Sequence, residues 1–241
     1  MIEKSRGIVL HHLKYTDSGI IAQMYTLKFG RLSFLIKGMR KKKSGKHSAF
    51  FQPLTVLDIE FYFRQSRDMQ VIKEFSLNYS PAGIFTNIKK TSVAIFLGEV
   101  LTSVLREETP NKDLFGFIED SIRYFDECSD NYANFHISFL AGLSSYLGFE
   151  PGRRSGPGEY YFDMINGAFV SVPPLHGNYA GREISDILAA FFLSSYDNSR
   201  SIVLNGALRN EVLETLVNYY SLHLPGLRKI RSLEVLKEVF E

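Results

Sequence analysis

The residues best suited to bind a ligand form one basic run. Six of the ten residues from Lys37 to Lys46 are Lys or Arg. Each cation of this kind that meets a phosphate releases a counterion, so about six to ten contacts give binding that depends steeply on salt and little on base sequence. The run therefore predicts a site for a nucleic-acid backbone, with a solvated surface loop as the alternative.

We expect phosphate contacts from this run and from basic residues that precede it. The primary candidates are Arg31, Lys37, Arg40, Lys41, Lys42, Lys43 and Lys46, and the secondary candidates are Lys4, Arg6 and Lys14. Aromatic residues are interleaved with them, and exposed aromatics stack on unpaired bases at about 1–3 kcal/mol per base. Phe34 and Tyr25 are the stacking candidates, with burial in a hydrophobic core as the alternative.

The charge of the chain is unevenly distributed. All 241 residues together carry a net charge of +2. The first 50 residues hold eleven Lys or Arg against two acids, a net charge of +9, and the remaining residues carry a net charge of −7. Such asymmetry predicts a polyanion site on the first part of the chain.

Local motifs for catalysis or metal binding are missing from the sequence. A single cysteine, Cys128, excludes an intramolecular disulfide and a four-cysteine zinc site. The six histidines form no HxxxH pair, and the glycine-rich residues 152–158 lack the Gly-Lys-Ser/Thr of a phosphate loop. We therefore expect no enzymatic activity, no metal and no cofactor. An enzyme whose site is assembled from residues distant in sequence is the alternative.

Five strands are predicted in the first 80 residues. They are residues 7–10, 20–27, 32–36, 54–63 and 69–77, which are rich in β-branched and aromatic types. The basic run lies in the long link between the third strand and the fourth. This arrangement favours a five-stranded OB-fold barrel. A small antiparallel sheet packed on helices is the alternative.

From residue 81 the apolar residues recur with the period of amphipathic helices. The predicted helices cover residues 93–105, 114–125, 135–147, 184–192, 210–222 and 233–240. Asn166-Gly167 between two apolar runs predicts a β-hairpin. The fold expected is α+β: an OB-fold domain over residues 1–80, then a mainly helical domain over residues 81–241 with a hairpin insertion at about residues 150–182.

The sequence also bears on location. The longest apolar stretch, residues 92–105, is interrupted by Glu99 and is shorter than the roughly 20 residues of a membrane span. The first residues include Glu3 and lack an apolar run of signal-peptide length. Together with the single cysteine, these features predict a cytoplasmic protein without a membrane partner.

Short motifs follow one another along nearly the whole chain. They are Gly7-Ile8-Val9-Leu10, Tyr15-Thr16-Asp17-Ser18, residues 26–33, Lys37-Gly38-Met39-Arg40, Gln52-Pro53-Leu54, Leu147-Gly148-Phe149-Glu150-Pro151, and residues 219–225 and 227–233. Taken together, their order and spacing resemble those of the RecO family of bacterial recombination mediators.

The resemblance implies a non-enzymatic protein that binds single- and double-stranded DNA and anneals complementary strands. It also implies a place in the RecF-type pathway of gap repair, where RecO with RecR helps RecA to displace single-stranded-DNA-binding protein (SSB). The family engages the acidic, phenylalanine-ended SSB tail through its helical domain, and acts in the bacterial cytoplasm at the nucleoid. Another OB-fold module that binds RNA or DNA, such as a translation-associated protein, is the alternative.

One departure from the family concerns metal. Many members carry a four-cysteine zinc knuckle just after the motif at residues 147–151. Here residues 152–158 contain no cysteine, while the predicted hairpin at residues 160–172 is retained. We therefore do not expect zinc in this chain.

Overall fold

The computed structural model describes residues 1–16, 19–37, 49–105, 109–154, 156, 158, 160–227 and 229–240. The chain forms two compact units, one of residues 1–127 with residues 230–233, the other of residues 128–229 with the residues from 234 onward. The barrel strands end at Tyr79, and residues 82–127 belong to the same compact unit as the barrel. A domain boundary at residue 80 stays a prediction.

Five strands close into a barrel in the first unit. They are β1 (Ile2–Thr16), β2 (Gly19–Thr26), β3 (Gly30–Ile36), β4 (Val56–Tyr62) and β5 (Met69–Tyr79). The strand order is β1-β2-β3-β5-β4, with β4 also paired to β1; β3 and β5 run parallel, and the other pairs are antiparallel. The predicted OB-fold barrel is confirmed, although β1 is much longer than expected.

Alternation along the strands fills the barrel. In β3, Leu32, Phe34 and Ile36 are buried, whereas the residues between them are half-buried on the outer face. The ring of Phe34 meets that of Phe61 edge-to-face, with centroids 5.0 Å apart. A side-chain period of two places every second residue in the core, which is why these aromatics face inward.

The pairing defines two ends of the barrel. At the first, which we call the loop end, Thr16 pairs with Gly19 and Ile20 pairs with Ile36. At the second, which we call the turn end, residues 27–29 join β2 to β3 and residues 63–68 join β4 to β5. Phe29 and Phe63 bring these two turns together, with ring centroids 5.0 Å apart.

Three helices complete the first unit. They are α1 (Ala82–Phe85), α2 (Ile88–Val104) and α3 (Lys112–Glu127). Asn87 caps α2 by accepting hydrogen bonds from the N–H groups of Lys89 and Lys90, and Asn111 accepts one from Leu114 at the start of α3. At Gly98, α2 approaches β1 so closely that a Cβ atom would lie 2.7 Å from the carbonyl oxygen of Leu10.

The second unit is mainly helical. Its helices are α4 (Phe135–Tyr146), α5 (Arg182–Leu193), α6 (Tyr196–Ser199) and α7 (Gly206–His223), and α8 (Ser232–Val239) follows at the end of the chain. A small sheet has the order β7-β6-β8, from β6 (Tyr161–Asp163), β7 (Ala168–Val170) and β8 (Tyr179–Ala180). The hairpin is where the sequence placed it, and β8 is a third strand that the sequence did not show.

Two of the sequence motifs meet in this unit. Phe149 packs edge-to-face on Tyr219 and Tyr220 and stacks on the His223 imidazole, with centroids 5.3 Å apart and planes at 11°. The Tyr219 hydroxyl donates to the carbonyl oxygen of Phe149 at 2.5 Å. The motif at residues 147–151 therefore fixes the end of α7.

Candidate nucleic-acid interface

The loop end of the barrel carries two of the expected phosphate-binding residues. Lys37 follows β3 directly and is exposed, and Lys14 is exposed near the end of β1. Lys14 pairs with Ile20, which in turn pairs with Ile36, so the sheet register brings both lysines to this end. The other candidates of the run, Arg40, Lys41, Lys42, Lys43 and Lys46, lie outside the described residues.

Two further candidates, Lys4 and Arg6, are held in ion pairs. The Lys4 ammonium lies 3.2 Å from the Glu60 carboxylate. Arg6 donates to both carboxylate oxygens of Glu119, at 3.2 and 2.9 Å. A phosphate at either cation would have to compete with a carboxylate that is already in place.

Glu119 is the centre of a small charged cluster. It is buried, and it also accepts a hydrogen bond from Arg123 one turn further along α3, at 2.8 Å. Burial by itself raises the pKa of this carboxyl, but the hydrogen bonds from Arg123 and Arg6 outweigh burial and hold the pKa below its usual value. Glu119 therefore stays ionised and keeps Arg6 engaged at neutral pH.

Arg31 is placed away from the loop end. It pairs with Tyr25 near the turn end, and its Nη1 donates to the carbonyl oxygen of Thr102 at 3.1 Å. Thr102 belongs to the last turn of α2, where carbonyl groups without helical partners favour a cation. The described structure thus gives Arg31 a contact within the fold, and it does not bring Arg31 together with Lys37.

The stacking hypothesis was wrong for both of its aromatics. Phe34 has no solvent exposure because it lies on the inward side of β3. Tyr25 is 2% exposed because its ring stacks against Phe115 of α3. Of the aromatics interleaved with the basic residues, Tyr15 is 56% exposed, and it lies beside Lys14 at the loop end.

The outer face of β4 is balanced in charge. Glu60 accepts hydrogen bonds from Lys73 and Lys4, which hold the pKa of its carboxyl below the usual value. Asp58 accepts a hydrogen bond from Asn78 and lies 3.9 Å from Arg6. This face therefore adds little positive potential to the barrel.

Sequence reasoning missed two arginines at the turn end. Arg64 and Arg67 are exposed in the turn between β4 and β5, and neither guanidinium has an ion-pair partner among the residues that the structure describes. In the sequence this segment reads only as a polar turn. The position of this turn could have indicated a binding role, because the loop between the fourth and fifth strands of OB folds takes part in ligand binding.

The hairpin of the second unit has a donor set that does not fit zinc. Asp163 at the end of β6 accepts hydrogen bonds from the N–H groups of Ile165 and Asn166 and from the Asn166 side chain, at 2.9, 3.1 and 2.7 Å. His176 Nε2 lies 3.3 Å from the same carboxylate. The described residues contain no group of three His, Cys, Asp or Glu side chains that could hold a metal ion. Hydrogen bonds to Asp163 close this hairpin.

Comparison with protein-family models shows which family the chain belongs to. Residues 1–80 match the family model described as Recombination protein O N terminal, and residues 86–234 match the model described as Recombination protein O C terminal. The chain belongs to the RecO family. This membership assigns it to DNA repair and recombination.

Individual RecO proteins are similar over their full length. The DNA repair protein RecO of Phocaeicola vulgatus is 38% identical over 240 residues, and that of Bacteroides fragilis is 39% identical over 246 residues. The DNA repair protein RecO of Porphyromonas gingivalis is 34% identical over 245 residues. In each case the comparison covers 100% of both chains. Within the described ranges, no helix has the length and apolar character needed to cross a membrane.

Proposed function

We propose that this chain is a non-enzymatic recombination mediator that binds single- and double-stranded DNA and anneals complementary strands. The observation that carries the proposal is the attachment of the basic run at the loop end of an OB-fold barrel, where Lys37 and Lys14 are exposed. OB folds combine a positive groove with exposed aromatics to hold single strands without reading their sequence.

Annealing has two physical requirements that this end of the barrel can meet. The phosphates of both strands must be neutralised, and the base edges must stay available for pairing. Contacts from Lys and Arg to phosphates achieve the first without engaging base edges. Tyr15 is an exposed aromatic at this end, among the residues that the structure describes, and it can stack on an unpaired base.

The proposed phosphate contacts differ in weight. Lys37, Arg40, Lys41, Lys42, Lys43 and Lys46 are the primary residues, and Lys14 supports them. Lys4, Arg6 and Arg31 contribute less, because each already has a carboxylate or a carbonyl as its partner. Their positive charges still act at longer range when the salt concentration is low.

Charge reversal tests the assignment directly. The variant R40E/K41E/K42E/K43E should lose most of its DNA binding, and the weak binding that remains should depend less on salt because fewer counterions are released. The matched control is the double variant K112E/K229E, which reverses two exposed lysines outside the basic run. Its DNA affinity is compared with that of K42E/K43E, which makes the same change of charge within the run. An unchanged dissociation constant for the quadruple variant, with an unchanged unfolding midpoint, would overturn the assignment.

The protein partners form a second part of the proposal. In this role the chain acts in the bacterial cytoplasm at the nucleoid, binds RecR and the acidic SSB tail, and helps to load RecA on SSB-coated DNA. Support comes from membership in the RecO family. A strand-annealing assay with and without SSB, and titration with an SSB-tail peptide, test these steps. Stronger binding to RNA than to single-stranded DNA at one salt concentration would favour an RNA-binding module instead.

A further inference from the structure

The parallel pairing of β3 with β5 connects the two ends of the barrel along one line. Ser33 pairs with Met69, and Leu35 pairs with Val71; all four are half-buried on the outer face. Lys37 follows β3 at one end of this seam, and the turn of residues 63–68 precedes β5 at the other. We call this line the β3–β5 seam. From Ser33 to Lys37 it measures about 13 Å at the usual rise of a strand.

The turn at the far end of the seam is well ordered by a buried amide. Gln70 is 2% exposed, and its Oε1 accepts a hydrogen bond from the N–H of Arg64 at 2.8 Å. Its Nε2 donates to the carbonyl oxygens of Arg64 and Arg67, at 3.0 and 2.7 Å. The backbone of the turn is therefore fixed, while the guanidinium groups of both arginines extend into solvent.

The seam is free of acidic residues. Residues 19–37 and 69–73 contain no Asp or Glu, and Lys28 lies at the same end as the two arginines. Glu60 on the neighbouring strand is engaged by Lys4 and Lys73. Asp68 is the one acid in the turn itself. A polyanion along this line would thus meet cations at both ends and no carboxylate between them.

We propose that the β3–β5 seam is the path of the nucleic-acid strand, and that Arg64 and Arg67 hold its phosphates at the end opposite the basic run. This inference rests on the proposed function. The roughly 13 Å from Ser33 to Lys37 corresponds to about four phosphates at roughly 3.4 Å each along a strand, which is the lower end of the roughly 4–16 nucleotides that an OB fold occupies. The paired cations Lys4 and Arg6 on β1 lie outside this path, which follows β3 and β5.

The test uses the full chain and a series of oligothymidylates of increasing length. R64A/R67A should weaken binding of long oligonucleotides roughly ten-fold at low salt and make the salt slope about 1.4 shallower, since each lost contact on a single strand removes about 0.7. The shortest oligonucleotides can be held by the basic run alone. R64A/R67A should therefore bind them with nearly the same affinity as the wild type does. The matched control K112A/K229A also removes two exposed cations and should change neither length dependence nor slope.

A variant that removes a negative charge, and should therefore strengthen binding, completes the test. D68N removes the acid of the turn and should tighten the binding of long oligonucleotides, because a phosphate there no longer meets a carboxylate. The contrary result is that R64A/R67A and D68N both bind DNA with the affinity of the wild type while R40E/K41E/K42E/K43E loses binding. That result would overturn the proposed strand path along the β3–β5 seam and would leave the assignment of the basic run in place. If the wild type itself does not bind DNA, the proposed function fails and this inference fails with it.

Discussion

Arg6 of β1 and Glu119 of α3 are 113 residues apart in the sequence and form an ion pair within the first unit. One guanidinium nitrogen of Arg6 donates to both carboxylate oxygens, at 3.2 and 2.9 Å. Arg123 donates to the same carboxylate from the next turn of α3. A residue that the sequence offers as a phosphate ligand thus connects a barrel strand to a helix.

Replacement of Glu119 by Gln should destabilise the protein by about 2 kcal/mol. Removal of the buried carboxylate leaves Arg6 and Arg123 without their partner, and because both arginines are partly exposed, water reduces the cost. Urea unfolding of E119Q measures this, with D120N on the exposed side of the same helix as control. Equal midpoints for E119Q and D120N would contradict the prediction.

The same pair makes a prediction about DNA. R6A should lose about as much stability as E119Q and change the salt slope of DNA binding little. If Arg6 instead contacts a phosphate, R6A would flatten the salt slope while E119Q, which leaves the arginine in place, would not. Comparison of R6A with E119Q therefore distinguishes a cation that stabilises the fold from one that binds a phosphate.

The sequence predicted those parts of the fold that depend on local patterns. Alternation over residues 54–63 and the Asn166-Gly167 turn are signals within a few residues, and both elements are present in the structure. The partners of Arg6 and Arg31 could not be predicted, because Glu119 and Thr102 come close only after the barrel and helices have packed. For the same reason, sequence could not show which cations of the described ranges form ion pairs within the fold.

The sequence did carry a signal for the orientation of Phe34, because this residue alternates with the apolar Leu32 and Ile36 of β3. The stacking hypothesis relied on residue type alone and overlooked this alternation. Backbone conformation was harder to predict. Leu54 adopts a φ of 68°, a left-handed conformation that an apolar residue rarely takes. Its N–H donates to the carbonyl oxygen of Val9 at 2.7 Å, so a contact with β1 stabilises a backbone that leucine does not favour by itself.

Two helical glycines should respond oppositely to alanine. Gly98 of α2 faces β1, and a Cβ there would lie 2.7 Å from the carbonyl oxygen of Leu10 and 3.1 Å from Cβ of Pro53. Because backbone must move to admit the methyl group, we expect G98A to cost about 1–3 kcal/mol despite the better helix propensity of alanine.

Gly116 of α3 is the matched control for this substitution. A Cβ there would meet nothing within 4 Å, so G116A should stabilise the protein by about 0.5–1 kcal/mol through helix propensity alone. Thermal unfolding of both variants measures the two signs. Stabilisation by G98A would show that α2 does not need the close approach to β1.

Asp163 should stabilise the hairpin of the second unit in a pH-dependent way. Burial raises the pKa of this carboxyl, but the hydrogen bonds from Asn166 and Ile165 outweigh burial and keep the pKa below the usual value. A lowered folded pKa means that the ionised form favours folding. Its contribution is complete above the unfolded pKa of about 3.9 and is lost as the pH falls through the folded pKa.

The D163A variant isolates this contribution. At pH 7 it should lose about 2–3 kcal/mol, since it leaves the N–H groups of the turn without their charged acceptor. The difference in unfolding free energy between wild type and D163A should stay constant from pH 7 to about pH 5 and shrink below about pH 4. E211Q, at an exposed position of α7, should match the wild type throughout. A difference that grew on acidification would mean that the protonated carboxyl, and not the carboxylate, closes the hairpin.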